Sequence, residues 1–250
     1  MIQSNFYTQS GTPIPVVTED QMREIDRIAM EDFGLGVLQM MENAGRNLAL
    51  NVIDMVGAPT GKVAILAGVG GNGGGGICCA RHLHNRGFQV LLVLTKDANA
   101  YRGSAGHQLN ILQAAGLHPV SEGLAETVVR EADLVVDAII GYSLKGAPRG
   151  RSAELIEICN QHAREALSLD IPSGVNATTG ETPGLFVRPT RTLTLALPKT
   201  GLLHVPGDLY LADIGIPPEV YHPLGIHFEP FFGGRYWIRM YNFSGLTQLG

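Results

Sequence analysis

Several things this 250-residue chain has little of narrow its class at once. Cysteine is scarce: Cys78, Cys79 and Cys159 are an odd number with no Cys-x-x-Cys spacing, so neither a disulfide scaffold nor a cysteine-bound zinc is expected. That pattern reads as a reduced, cytoplasmic protein. Positive charge is short, with 18 Lys plus Arg against 23 Asp plus Glu and a net charge of -5, which excludes a global basic field for nucleic acid or acidic lipid. No apolar run reaches the roughly 18 to 20 residues that span a bilayer. The start, MIQSNFYTQSGTPIPVV, lacks the basic and apolar regions of a secretory signal and reads as a loose arm over 1–17. The eight histidines show no H-E-x-x-H spacing, and no G-x-S-x-G is present, which disfavours a zinc hydrolase and an α/β-hydrolase.

What is abundant is apolar residues, 45%, and glycine, 32 residues. That is the composition of a chain with a core rather than a disordered one. Thr18 and Gln21 have capping-box spacing, and Met22, Ile25, Ala29 and Phe33 follow at helical intervals before Gly34. A second helix is predicted over 37–55, with Met40, Met41, Ala44, Leu48 and Val52 on one side and Gly57 and Pro59 beyond it. Its methionines read as core filler.

From Gly61 the pattern changes to short apolar runs, 63–66, 90–94, 134–140, 166–171 and 192–197, separated by helical stretches near 77–86, 107–115 and 153–164. Continuous apolar strands need two dry faces, so this alternation predicts an α/β domain of three αβα layers, Rossmann-like, on a mostly parallel sheet. The two N-terminal helices are expected to pack on it, giving a single domain over 18–250.

Three places carry candidate chemistry. The loop AGVGGNGGGG (67–76) follows a strand and opens a helix, and Gly68, Gly70 and Gly73 satisfy G-x-G-x-x-G. Such a turn presents backbone N–H groups to a phosphate, or serves close strand–helix packing alone. Asp97, after the second strand, falls where a Rossmann protein holds a ribose, or is a solvated turn residue. Asp137 and Asp170 each end an apolar strand and so face the crevice beyond the sheet, as acid, base or cation ligand, or as turn-stabilising carboxylates. Lys145 and Arg149 sit in the glycine-bounded loop 141–150, available to phosphate or to solvent.

These pieces in this order, with TEDQMREIDRIAMEDFG and MMENAGRNLA upstream and LALPKTGL downstream, resemble the YjeF N-terminal domain family, the NAD(P)H-hydrate epimerases. The similarity runs over about 18–213, and its most specific parts are VVDAIIGYSLKG and LDIPSGVNATTG. The resemblance implies an isomerase of metabolite repair that interconverts the R and S forms of hydrated NADH and NADPH. It implies Asp170 as the acid/base residue and Asn72, Asp137 and Ser173 as ligands of one potassium ion per subunit. It implies substrate contacts from Gly71, Asn72, Gly73, Gly74 and Gly75, from Gly141, Tyr142, Ser143, Leu144, Lys145, Gly146 and Ala147, and from Asp170. A homodimer is implied as well. The family often carries a dehydratase domain; with the chain ending at Gly250, that activity is expected on a separate protein. Lys199 lies in a Pro-Lys turn that the family shares, without an assigned role.

The glycine loop departs from the family's G-N-N-G-G-D-G: Gly71 and Gly75 stand where an Asn and an Asp are usual. Backbone phosphate contacts survive that change, whereas two side chains are absent. Two alternatives therefore stand beside the epimerase: a non-catalytic nucleotide- or protein-binding module of the same fold, and an NAD-dependent dehydrogenase using Gly68, Gly70, Gly73 and Asp97. The aromatic, basic end FFGGRYWIRMYNFSG is expected to dock on its own domain or across a dimer.

Overall fold

The computed structural model describes residues 5–57 and 61–242. The chain opens with a short antiparallel hairpin, β1 (Phe6–Tyr7) and β2 (Pro13–Ile14), then α1 (Glu19–Arg27) and α2 (Val37–Val56). β3 (Lys62–Ala67), α3 (Gly71–His84), β4 (Gln89–Leu94) and α4 (Gly103–Ala114) come next, then α5 (Ala125–Glu131), β5 (Leu134–Ala138) and α6 (Arg151–His162). The last strands are β6 (Ala166–Leu169), β7 (Arg191–Leu195), β8 (Asp208–Ala212) and β9 (Trp237–Met240). One seven-stranded sheet has the order β4-β3-β5-β6-β7-β8-β9, parallel except where β9 pairs with β8.

The α/β expectation holds, because the central strands are dry on both faces. Every residue of β5 and β6 is buried. On one face Leu48 and Val52 of α2 and Ile77 and Leu83 of α3 pack against Ile65, Val136 and Leu167; on the other, Val129 of α5 and Leu155 and Ile156 of α6 pack against Ala64, Leu66 and Val135. Burying a side chain of this size contributes about 1.5–3 kcal/mol.

Both N-terminal helices form. Thr18 accepts from the Gln21 N–H while the Gln21 side chain accepts from the Thr18 N–H, a complete capping box. Met22 and Ile25 pack with Leu197, Val220 and Tyr221. The regular helix stops earlier than its periodicity suggests. Residues 28–32 widen into a π-helical turn, so the helical register is lost before Phe33, which is 48% exposed.

The segment before Thr18 is not loose from Phe6 onward. Phe6, Ile14, Val16 and Val17 are buried, the first three against Ile171, Leu211, Ile238 and Met240, and Tyr7 exchanges backbone hydrogen bonds with Tyr241. Part of the aromatic end also docks on the chain's own sheet, as β9; residues 243–250 lie outside the described residues. α5, β8 and β9 have no counterpart among the predicted elements. Each is four to seven residues, too short for periodicity to separate from a loop.

β3 has β4 on one side and β5 on the other, so the chain runs outward in opposite directions from that pair. A doubly wound sheet opens a crevice beyond the carboxyl ends of its strands at such a reversal.

Candidate active site

A cavity of about 770 Å³ occupies that crevice. Its wall is built from residues just past the ends of β3 to β7: Gly68, Gly70, Gly71 and Asn72 after β3, Thr95 and Lys96 after β4, Ile139 to Ser143 after β5, Asp170 after β6, and Lys199 after β7. Met22 and Asp26 of α1 and Met40 and Met41 of α2 close another side. The α2 methionines are buried, as read, but they line the cavity as well as filling the core.

The glycine loop works through close approach. A Cβ on Gly73 would lie 1.6 Å from the Gly68 carbonyl oxygen, and one on Gly68 would lie 2.0 Å from that of Ile139. Only glycine lets the first turn of α3 fold back against the end of β3. Gly73 and Gly74 are consequently buried and do not line the cavity, whereas Gly71 and Gly75 do. Nothing lies within 4 Å of a Cβ on Gly71, while one on Gly75 would meet Leu169 at 2.8 Å. The α6 N-terminus, Gly150 to Ser152, and Arg149 line the same cavity, so two helix N-termini open onto it. Their partial positive charge favours an anion there. Of the neighbouring loop, Gly141, Tyr142 and Ser143 line the cavity; Leu144 is buried elsewhere, and Lys145, Gly146 and Ala147 lie off the wall. Asp97 is away from it too.

Asp170 is 3% exposed and adopts φ 66°, a left-handed conformation that carries strain in a non-glycine residue. Its N–H donates to Leu193 O at 2.7 Å. One carboxylate oxygen, Oδ1, accepts from Thr194 Oγ1 and the Leu195 N–H, both at 3.2 Å, and from the Lys199 ammonium. The other, Oδ2, has no hydrogen-bond donor among the described residues. Lys199 is 1% exposed and also donates to Leu195 O at 2.9 Å. A buried ion pair of this kind holds geometry tightly, since neither charge can be left without the other.

A second carboxylate, not among the candidates from sequence, stands on the same wall. Asp26 Oδ2 accepts from the Tyr142 hydroxyl at 2.6 Å, and Lys199 Nζ lies 5.9 Å from the Tyr142 ring centre. Burial pushes the Asp26 carboxyl above its usual range, against the opposing pull of the Tyr142 hydrogen bond and the Lys199 charge. Burial and the neighbouring Asp26 likewise push the Tyr142 phenol up. Asp26 falls four residues after Met22 and three before Ala29, on the apolar stripe of α1; a charge on such a stripe was the available signal.

Asp137 and Ser173 sit deeper, just off the wall. Asp137 is fully buried; Oδ2 accepts from Ser168 Oγ and the Ser173 N–H, both at 2.8 Å, and Oδ1 accepts from Ser173 Oγ at 2.5 Å. Burial pushes its carboxyl up, and these hydrogen bonds oppose that. Ser173 Oγ is 3.2 Å from Ile140 O. Asn72 stands against Gly141, and its buried Nδ2 has no partner among the described residues.

The family sequence model described as YjeF-related protein N-terminus matches residues 37–201. The chain belongs to that family. It is 50% identical to the NAD(P)H-hydrate epimerase of Dehalogenimonas lykanthroporepellens over 94% of this chain and 96% of that one. It is 38% identical to the NAD(P)H-hydrate epimerase of Rhodopirellula baltica, over 83% of this chain and 87% of its relative. A bifunctional NAD(P)H-hydrate repair enzyme of Hyperthermus butylicus is 39% identical over 76% of this chain, which spans 36% of that longer protein. Among solved structures the yeast protein ynu0 superposes with a TM-score of 0.77 at 24% identity, covering 90% of this chain and all of that one, a likeness of fold.

Proposed function

We propose that this family member is an epimerase that interconverts the R and S forms of hydrated NADH and NADPH. The observation that carries the reading is Asp170: one oxygen clamped by Lys199, Thr194 and the Leu195 N–H, the other free of any such clamp on the wall of a cavity large enough for a dinucleotide. At the hydroxyl-bearing carbon, next to the ring nitrogen, inversion needs the C–O bond to break and re-form on the opposite face. The nitrogen lone pair supports the resulting cation. Oδ2 of Asp170, once loaded with a proton from solvent, gives it to the departing hydroxyl, which leaves as water, and takes one from the water that adds on the opposite face, so the carboxyl ends as it began. The α3 and α6 N-termini with Lys96 and Arg149 hold the phosphates.

Potassium fits the oxygens nearby. The Asp137 carboxylate, Ser173 Oγ and Ile140 O form one cluster, all hard donors of the class such a cation takes; the unmatched buried Nδ2 of Asn72 is an N–H donor, so Asn72 would contribute only through its amide oxygen. An ion held by these residues would supply fixed positive charge beside the cavity. A homodimer is part of the proposal; exposed Leu38 and Ile111, which share a groove between α2 and α4, support it. A cytoplasmic setting is supported by Cys78, Cys79 and Cys159 all being free. The bifunctional NAD(P)H-hydrate repair enzymes among the relatives support cooperation with a second repair activity.

The dehydrogenase alternative gains no support from Asp97, which follows Lys96 but is not itself on the cavity wall. The test is to add purified protein to one isolated epimer of hydrated NADH and follow the other by chromatography. Conversion well above the spontaneous rate is expected; binding without conversion would make the protein a non-catalytic module.

A further inference from the structure

Where α2 crosses α3, away from the cavity wall, three ligand-type side chains converge. Cys78 and His82 are one turn apart on α3 and share a face, and Glu42 reaches them from α2. Gly45 makes the approach possible: a Cβ there would lie 2.5 Å from Cys78 Sγ. Glu42 Oε1 is 2.8 Å from His82 Nε2, and Oε2 is 3.3 Å from Cys78 Sγ. The three ligand atoms all lie within 4.8 Å of one another. A tetrahedral ion with bonds of about 2.0–2.3 Å spaces its donors about 3.3–3.8 Å apart, so little movement is needed to surround one.

We propose that Glu42, Cys78 and His82 form a site for one divalent transition-metal ion of the Zn²⁺ class, with water as fourth ligand. Thiolate and imidazole select such an ion over Mg²⁺ or Ca²⁺. Arg81 now holds the position of positive charge, donating to Glu42 Oε2 at 2.5 Å with its guanidinium 3.4 Å from Cys78 Sγ. Its side chain is 19% exposed and Glu42 is 43% exposed, so ion entry is an exchange of cations from the solvent side. Binding releases the Cys78 thiol proton to water as the metal–sulfur bond forms. The ion would pin α2 to α3, the two helices that give Met40, Met41, Gly71 and Asn72 to the cavity.

Co²⁺ added to the reduced, metal-stripped full chain reads the site directly. One equivalent should produce a thiolate-to-cobalt band in the near ultraviolet and intense tetrahedral bands in the visible, both bleached by Zn²⁺. Cys78→Ser should abolish the near-ultraviolet band, and His82→Gln and Glu42→Gln should each weaken Co²⁺ by about 10- to 100-fold. Metal-free turnover of the His82 and Glu42 variants should match the parent, since neither residue lines the cavity. Absence of the near-ultraviolet band in the parent, or equal Co²⁺ affinity in parent and His82→Gln, overturns the proposal and leaves an ion-paired cluster. If Cys78→Ser fails to fold, Glu42→Gln decides the matter, because the Glu42 side chain is 43% exposed.

Discussion

The buried ammonium of Lys199 donates to Oδ1 of Asp170, a residue on the cavity wall, and leaves Oδ2 as its carboxylate oxygen without a donor among the described residues. The pairing fixes which oxygen is available for chemistry. It also ties the two residues energetically. Removing either partner strands a buried charge, at a cost of about 3–5 kcal/mol, whereas replacing both is far milder. Asp170→Asn and Lys199→Met should each lower stability by that order in denaturant melts, and the double variant by clearly less than the sum of the two.

Asp26 gives a pH prediction whose sign follows from its raised carboxyl. The folded state binds this proton more tightly than the unfolded chain, so the contribution to stability is present below the ordinary carboxylate range. It is lost as pH rises through the folded value. Asp26→Asn removes that loss while keeping an acceptor for Tyr142. Relative to the parent, its melting temperature should therefore rise between pH 4 and pH 7; a constant difference across that range would contradict the assignment.

The glycine loop separates packing from ligand contact. Gly73→Ala forces a Cβ against the Gly68 carbonyl and should unfold the chain or cost more than the roughly 1–3 kcal/mol of ordinary overpacking. A Cβ on Gly71 would meet nothing within 4 Å, so Gly71→Asn should leave stability within about 0.5 kcal/mol, the range of exposed-site changes. Chemical denaturation of the two variants checks both.

The oxygen cluster around Asp137 makes potassium measurable. At equal ionic strength the parent should melt higher in KCl than in NaCl, because an ion bound only to the folded state stabilises it. Asp137→Asn should erase the difference. Equal melting of the parent in both salts would count against the ion.

The sheet was legible because β3 to β7 are apolar runs set off by glycine and helix, and the capping box at Thr18 marked the start of α1 to the residue. The ends of the chain were not. The hairpin at Phe6 and the strand at Trp237 gain their order from partners far away in sequence, Tyr7 with Tyr241 and Leu211 with Ile238, which no local pattern reveals. In the site, Asp170 stood out as a carboxylate closing an apolar strand. Lys199 had no role until the fold brought it against Asp170, and Tyr142 was named in a loop without any sign of its bond to Asp26. Leu144, Lys145, Gly146 and Ala147 share that loop, yet its path carries them off the wall. Sequence proximity does not specify which way a loop turns.

The acid/base role of Asp170 is tested most directly by measuring binding and turnover together in Asp170→Asn. Isolated R epimer of hydrated NADH is given to the parent and to the variant, with affinity read by calorimetry and appearance of the S epimer by chromatography. The parent should convert it rapidly, and the variant should hold bound substrate whose conversion falls at least about 100-fold, the scale of a lost acid/base group. Undiminished conversion by a folded Asp170→Asn protein would contradict that role.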